Sequence, residues 1–260
     1  MYNSPKDIAL LLWPSLRSVA YLQVLIETNF FPNEIILLKN NYKIDKRLKK
    51  ESKKYNYERF FNIDICVDKL LEGKNVKIIN LDTSDINSPI VLHSIQKLIN
   101  KYIIFTGGGI LQKEILSLQK FFIHVHPGII PEYRGSTCFY YSLLNNYSLG
   151  ATAYIMNNKI DAGEIIFQKN FTLNYFLNND QPFFLDHILD NFIRSQVLKK
   201  TIQLFKKNSH FNTLKKDCSD PTYYIMHPLL RHLTIEKINH AYSSKISRGI
   251  FPVEENIDKF

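Results

Sequence analysis

Two histidines stand two residues apart in the stretch His124-Val-His126-Pro-Gly-Ile-Ile-Pro-Glu-Tyr-Arg-Gly135. Side chains alternate across a strand, so a strand ending here sets both imidazoles on one face of its sheet. Pro127-Gly128 then turns the chain away. Some 35 residues after His126, Ile160-Asp161-Ala162-Gly163 places a carboxylate in a glycine-bounded turn. If both segments finish at the same sheet edge, His126 and Asp161 can meet. An imidazole paired with a carboxylate moves protons near neutral pH. The same groups, His124, His126 and Asp161, also match a two-histidine, one-carboxylate metal face, so a metal-dependent reaction is a second reading of the motif.

Positioning these groups requires a sheet whose strands end together. Asp7–Trp13 is an unbroken apolar run, the pattern of a strand buried on both faces. Pro14-Ser15 breaks it, and Ser18–Glu27 has helical apolar spacing. Strands are predicted at Glu34–Leu38, Val76–Ile79, Tyr102–Phe105, Phe121–Val125, Ala151–Met156 and Glu164–Phe171. Helices are predicted at Ile63–Leu71, Ser88–Lys101, Gln112–Leu118, Thr137–Leu144 and Phe184–Phe205. This alternation implies an α/β fold: a mostly parallel, Rossmann-like sheet with helices on both faces. Residues 1–208 form the main domain in this reading. The tail, 209–260, lacks strong periodicity and reads as a small C-terminal appendage. In such sheets ligands collect at the carboxyl ends of the strands. Thr106-Gly107-Gly108-Gly109 follows one such end, without the G-x-G-x-x-G spacing of a dinucleotide site.

The chain has 260 residues, 45% hydrophobic and 22% charged, ordinary values for a globular protein with one substantial core. Its three cysteines, Cys66, Cys138 and Cys218, are scattered without metal-ligand spacing and fit a reducing compartment. With neither a leader pattern nor a membrane-length apolar run, the expected location is cytoplasmic, with no membrane partner. The net charge of +9 is concentrated. Between Lys39 and Phe60 nine basic side chains face only Asp45, Glu51 and Glu58. Such a segment is either a solvated helix or loop, or an attractor for a phosphate-bearing substrate or nucleic acid.

The two chemical motifs resemble the N-terminal domain of the folate-dependent formyltransferases, which include methionyl-tRNA, glycinamide-ribonucleotide and sugar-nucleotide formyltransferases. That family carries Asn-x-His-Pro-Ser-Leu-Leu-Pro-x-Tyr-Arg-Gly, followed at a similar interval by Asp-x-Gly. His126 falls on the family histidine, Pro131, Tyr133, Arg134 and Gly135 on the turn, and Asp161 and Gly163 on the acidic loop. The resemblance runs from about Lys101 to Phe171 and, more weakly, back to residue 7. Two positions depart from it. His124 replaces the asparagine of the family's Asn–His–Asp triad, and Gly128 replaces the serine.

The resemblance implies transfer of a formyl group from 10-formyltetrahydrofolate to an amine. Attack on the formyl carbon leaves negative charge on its oxygen, which hydrogen-bond donors stabilise. By the resemblance His126 is the principal donor and proton-transfer group, Asp161 orients it, and His124 donates one N–H where the family has an amide. Phe105, Thr106, Gly107, Gly108, Gly109 and Ile160 fall where the family holds the folate. Ser15 and Arg17 follow the first strand, where an acceptor could bind. Arg134 is either a substrate contact or a structural ion-pair partner. The expected acceptor is a small-molecule amine, first an amino sugar linked to a nucleotide. The tail is short for the C-terminal barrel of the tRNA-formylating members, so nucleic acid is not the expected partner. A homodimer is left open. A domain that has lost activity through the change at position 124, and only binds its ligand, is the non-catalytic alternative.

Overall fold

The computed structural model describes residues 6–39, 42–172, 181–219 and 222–247. Seven strands form one sheet in the order β3-β2-β1-β4-β5-β6-β7. These are β1 (Ile8–Leu12), β2 (Glu34–Leu38), β3 (Lys77–Leu81), β4 (Tyr102–Phe105), β5 (Phe121–His126), β6 (Ser148–Ile155) and β7 (Glu164–Thr172). The first five run parallel, and β6 and β7 are antiparallel to their neighbours. Strand order reverses between β1 and β4, which places the topological switch point there.

Alternation along the buried strands explains the two cores. In β1, Ile8, Leu10 and Leu12 pack with α1 (Leu16–Glu27) and α8 (Asp190–Asn208) on one face. Ala9 and Leu11 pack with α4 (Pro89–Lys97) and α5 (Lys113–Leu116) on the other. The remaining helices are α2 (Lys46–Tyr55), α3 (Val67–Leu71), α6 (Cys138–Asn146), α7 (Gln181–Phe184) and α9 (Pro228–Ser247). The mostly parallel sheet expected from the apolar runs is present.

Several elements differ in extent from the sequence reading. The helix expected over Ile63–Leu71 is only α3, because the Asn62 side chain accepts from the Asp64 N–H at 2.9 Å and holds that stretch as a turn. The helix expected to reach Lys101 ends at Lys97. Asn100 leaves the helical path and donates to the Lys6 carbonyl at 2.9 Å, closing the entry to β1. The basic segment is partly helical: α2 starts at an Asp45 cap and buries Leu48 and Ser52. The long C-terminal helix runs from α7 through a π-helical turn (Leu185–Leu189) into α8. Past Asn208 the chain returns to the sheet. Leu214 exchanges two hydrogen bonds with Ile165 of β7, and Tyr223 bridges to Gly135. Then α9 packs on α6 and α7. Residues 248–260 of the expected appendage lie outside the described residues.

Leu10 is fully buried in β1, whereas Ile99 is 81% exposed. Leu10→Ala should lower the unfolding free energy by about 2–5 kcal/mol. Ile99→Ala should change it by less than about 0.5 kcal/mol. Urea denaturation of the two variants checks this contrast.

Candidate active site

β4 and β5 pair only as far as Ile104 and Ile123. Beyond that point they part, and β5 continues alone against β6, with His124 opposite Tyr154 and His126 opposite Thr152. The two histidines therefore stand where the sheet opens, beside the switch point. Asp161 comes from the turn between β6 and β7, in the left-handed backbone region with φ 46°. Its Oδ2 lies 3.3 Å from His126 Nδ1 and accepts from the Gly135 N–H at 2.9 Å. Its Oδ1 accepts from the Tyr154 hydroxyl at 2.8 Å. The meeting of His126 and Asp161 anticipated from the two motifs is present in the structure.

On its far side, His126 Nε2 is 2.9 Å from the Tyr133 carbonyl and must donate to it. Gly128 allows this approach. A Cβ there would sit 2.6 Å from the Tyr133 oxygen and 2.9 Å from His126 Nε2. The departure from the family serine thus has a steric reason. Both nitrogens of His126 face oxygen acceptors, so the neutral ring fills one contact and the protonated ring fills both. Burial pushes its pKa below the ordinary imidazole range, while the Asp161 carboxylate acts in the opposite direction. The ring is 2% exposed, so its polar edge is spent on these partners and no N–H is left for a ligand in this arrangement.

His124 is held differently from the role expected of it. Its Nε2 lies 3.2 Å from Nη2 of Arg194, and its Nδ1 lies 3.4 Å from the Phe105 carbonyl. Both nitrogens are engaged, so the free N–H expected at the asparagine position is absent. The lone pair that a metal would use faces a guanidinium instead. Among the described residues no group of three His, Cys, Asp or Glu side chains is arranged to hold a metal ion. Burial, then Arg194, then Arg17 hold the His124 pKa well below the ordinary range.

Beneath the ring lies a charged cluster at the switch point. Arg194 of α8 is buried, with Nη1 3.4 Å from Asp190 Oδ2. Arg17 of α1 reaches the same carboxylate oxygen at 3.7 Å and the Thr106 carbonyl at 3.4 Å. Asp190 and Arg194 stand four apart on α8, the spacing of an ordinary helical ion pair. The one available signal was their place within the apolar stripe of Leu189, Ile193 and Val197.

The other expected site residues divide clearly. Phe105, Gly109 and Ile160 line a cavity of about 400 Å³ with His124, Tyr154 and Asp161. Thr106, Gly107 and Gly108 do not. The Thr106 hydroxyl accepts from the Trp13 N–H at 2.9 Å. A Cβ on Gly107 would meet Arg17 at 2.5 Å, and one on Gly108 would meet Trp13 at 2.5 Å. These glycines let the β4 loop pack on the β1 loop. Ser15 is occupied in the α1 capping box, its hydroxyl accepting from the Ser18 N–H at 3.2 Å. Arg134 is buried and donates to the Ile160 carbonyl at 3.4 Å, tying the proline turn to the acidic turn. The sequence reading missed the outer wall of the cavity, Thr222–Ile225, which comes from the tail. Tyr223 fixes it by stacking on Tyr133, with ring centroids 5.8 Å apart. A larger cavity, about 990 Å³, opens at the carboxyl ends of β2 and β3.

An α/β sheet that opens between β4 and β5, beside its switch point, with a His–Asp pair there, agrees with what comparison with known proteins finds. A model of the formyl transferase family matches residues 46–182, just over half of the chain, and the chain belongs to that family. It is 35% identical over 102 residues to the methionyl-tRNA formyltransferase of a Nitratiruptor species, covering 38% of this chain and 33% of that one. The corresponding enzyme of Borreliella afzelii (strain PKo) is 35% identical over 104 residues, 39% of this chain and 32% of that one. The chain thus matches about a third of the length of these relatives. Among solved structures, a sugar N-formyltransferase from a Shewanella species aligns with TM-score 0.52 at 16% identity, covering 89% of this chain and 87% of that one. A phosphoribosylglycinamide formyltransferase from Anaplasma phagocytophilum aligns with TM-score 0.51 at 13% identity, over 77% and 87%. These likenesses show the shared fold. No helix among the described residues is long and apolar enough to cross a membrane.

His124 and His126 both have native pKa values depressed below the 6.5 of free imidazole. The unfolded chain then binds protons more readily than the native one, so stability is full above that pH and falls as pH drops through and below it. The urea midpoint should be lower at pH 5.5 than at pH 7.5, and His124→Asn should reduce the difference.

Proposed function

We propose that the chain transfers a formyl group from 10-formyltetrahydrofolate to an amine, with an amino sugar linked to a nucleotide as the acceptor. The observation that carries this reading is the His126–Asp161 pair built from the two motifs, with Asp161 lining the 400 Å³ cavity and His126 buried beside it. The walls of that cavity fit the donor. Leu111, Leu116 and Met156 offer apolar surface to a flat heteroaromatic ring, and the 157–161 turn offers backbone polar groups. Phe105, Gly109 and Ile160 would hold it there. The bound folate supplies the formyl carbon.

The residues of the chain would then manage charge and protons. Asp161 is anchored by Gly135 and Tyr154, so its carboxylate stays fixed while His126 gains or loses a proton. His126 would take the proton that the attacking amine sheds and return it to the leaving nitrogen. To meet the formyl oxygen directly, its Nε2–H would have to leave the Tyr133 carbonyl.

The larger cavity supports the acceptor class. Leu37, Leu38, Ile44 and Ile65 give it apolar walls suited to a base or sugar ring, and Lys39, Lys43, Lys46 and Lys49 line it. Lys39 pairs with Asp82 at 2.6 Å and Lys49 with Asp64 at 3.8 Å, so phosphate would compete with carboxylates already present. That competition predicts moderate, salt-sensitive affinity.

Mass spectrometry of candidate amines incubated with the protein and 10-formyltetrahydrofolate tests the reading. The expected result is a formyl mass increase on nucleotide-linked amino sugars; formylation of methionyl-tRNA instead would replace the acceptor. His126→Ala and Asp161→Ala should each lower kcat by about a hundredfold or more. Near-normal rates in folded variants would remove both from the mechanism. Changing Lys43, Lys46 and Lys49 together to Gln should raise the KM of the nucleotide-linked acceptor about fivefold at low salt, with less effect at high salt.

A further inference from the structure

The contact between Arg194 and His124 has a chemical consequence that the family motif does not contain. A guanidinium only donates hydrogen bonds and keeps its proton at any working pH. At 3.2 Å from Nη2, His124 Nε2 must therefore be the acceptor. The single proton of the neutral ring is then on Nδ1, directed at the Phe105 carbonyl 3.4 Å away. The ring is gripped at both nitrogens and packs edge-on to Tyr154, with centroids 6.1 Å apart.

The surrounding charges act in the same sense. Arg194 faces the ring from α8, Arg17 from α1, His126 from β5 and Tyr154 from β6, with Asp190 and Tyr21 beside the two guanidinium groups. Asp190 is shared between two guanidinium groups, and Asp161, beyond Tyr154, is engaged by His126. Positive charge therefore exceeds negative charge around His124. Two imidazoles on one face of a strand would otherwise compete for the same proton.

We propose that Arg194 is a positioning residue. It holds His124, at the place of the family asparagine, as a fixed neutral ring protonated on Nδ1, and so confines the mobile proton of the site to the His126–Asp161 pair. The catalytic part of this inference rests on the formyl-transfer reading. The state of the ring does not.

Two-bond 1H–15N spectra of histidine-labelled protein between pH 5.5 and 8.5 report each ring's tautomer without any turnover. The signals of His124 are identified by their loss in His124→Asn. The expected spectrum shows His124 protonated on Nδ1, bare at Nε2 and untitrated over the range. A ring protonated on Nε2, or one titrating near the ordinary midpoint of about 6.5, would overturn the proposal. Arg194→Met removes the charge and keeps the length. In it His124 should begin to titrate, and kcat should fall about tenfold at pH 6 but less than about threefold at pH 8.5, with donor KM nearly unchanged. Arg194→Lys should keep the wild-type tautomer and profile. A uniform loss of rate at every pH, with the His124 spectrum unaltered, would mean a merely structural arginine and defeat the proposal. If Arg194→Met does not fold, the wild-type and Arg194→Lys spectra decide. Absence of turnover in wild type would count against formyl transfer alone, because the spectra still settle the ring.

Discussion

The carboxylate of Asp161 ties together the three parts of the chain that make up the site. One oxygen takes the Gly135 N–H and faces His126, and the other takes the Tyr154 hydroxyl. Gly135 belongs to the turn after β5, Tyr154 to β6, and Asp161 itself to the turn before β7. A buried carboxylate needs several donors, because leaving it unpaired is far more unfavourable than burying an apolar group of the same size. The proline turn, the antiparallel hairpin and the imidazole are consequently fixed with respect to one another by one anion. Burial and Asp161 together push the Tyr154 hydroxyl well above its usual range, so it remains a donor throughout.

The opening of the sheet between β4 and β5 makes room for this arrangement and creates a second requirement. Strands that part leave carbonyls without ladder partners, and these must be satisfied by other groups. Phe105 and Thr106 present such carbonyls, and they are met by His124 and Arg17. The two guanidinium groups that enter the gap bring charge with them, and Asp190 balances only one. Packing at the switch point thus biases the electrostatics of the site. An arginine placed there for its reach also determines which imidazole can become a cation.

The two cavities lie on opposite sides of the switch point. The smaller one is bounded by the β4 end, the acidic turn and the tail; the larger one by the ends of β2 and β3 and the basic segment. His124 and Asp161 line the smaller cavity, with His126 buried beside Asp161.

Local sequence determined a good deal of this. Apolar runs at Glu34–Leu38 and Tyr102–Phe105 became β2 and β4 with the expected limits, because a strand buried on both faces leaves no other pattern. The His-Pro-Gly and Asp-Ala-Gly segments indicated a histidine and an acid that could meet, since strand alternation and turn chemistry are local properties. The state of each ring was not local. His124 looked like a donor until α8, seventy residues later, placed Arg194 against it. Thr106, Gly107 and Gly108 were expected beside a ligand, and their packing on Trp13 and Arg17 was not legible locally. The tail carried no periodic signal, because segments such as Thr222–Ile225 are held by bridges to Gly135 and stacking on Tyr133 rather than by a pattern of their own. Sequence thus determined which chemical groups end at one edge of the sheet. Tertiary structure alone decided which nitrogen keeps its proton, because that depends on charges brought within about 4 Å from distant parts of the chain.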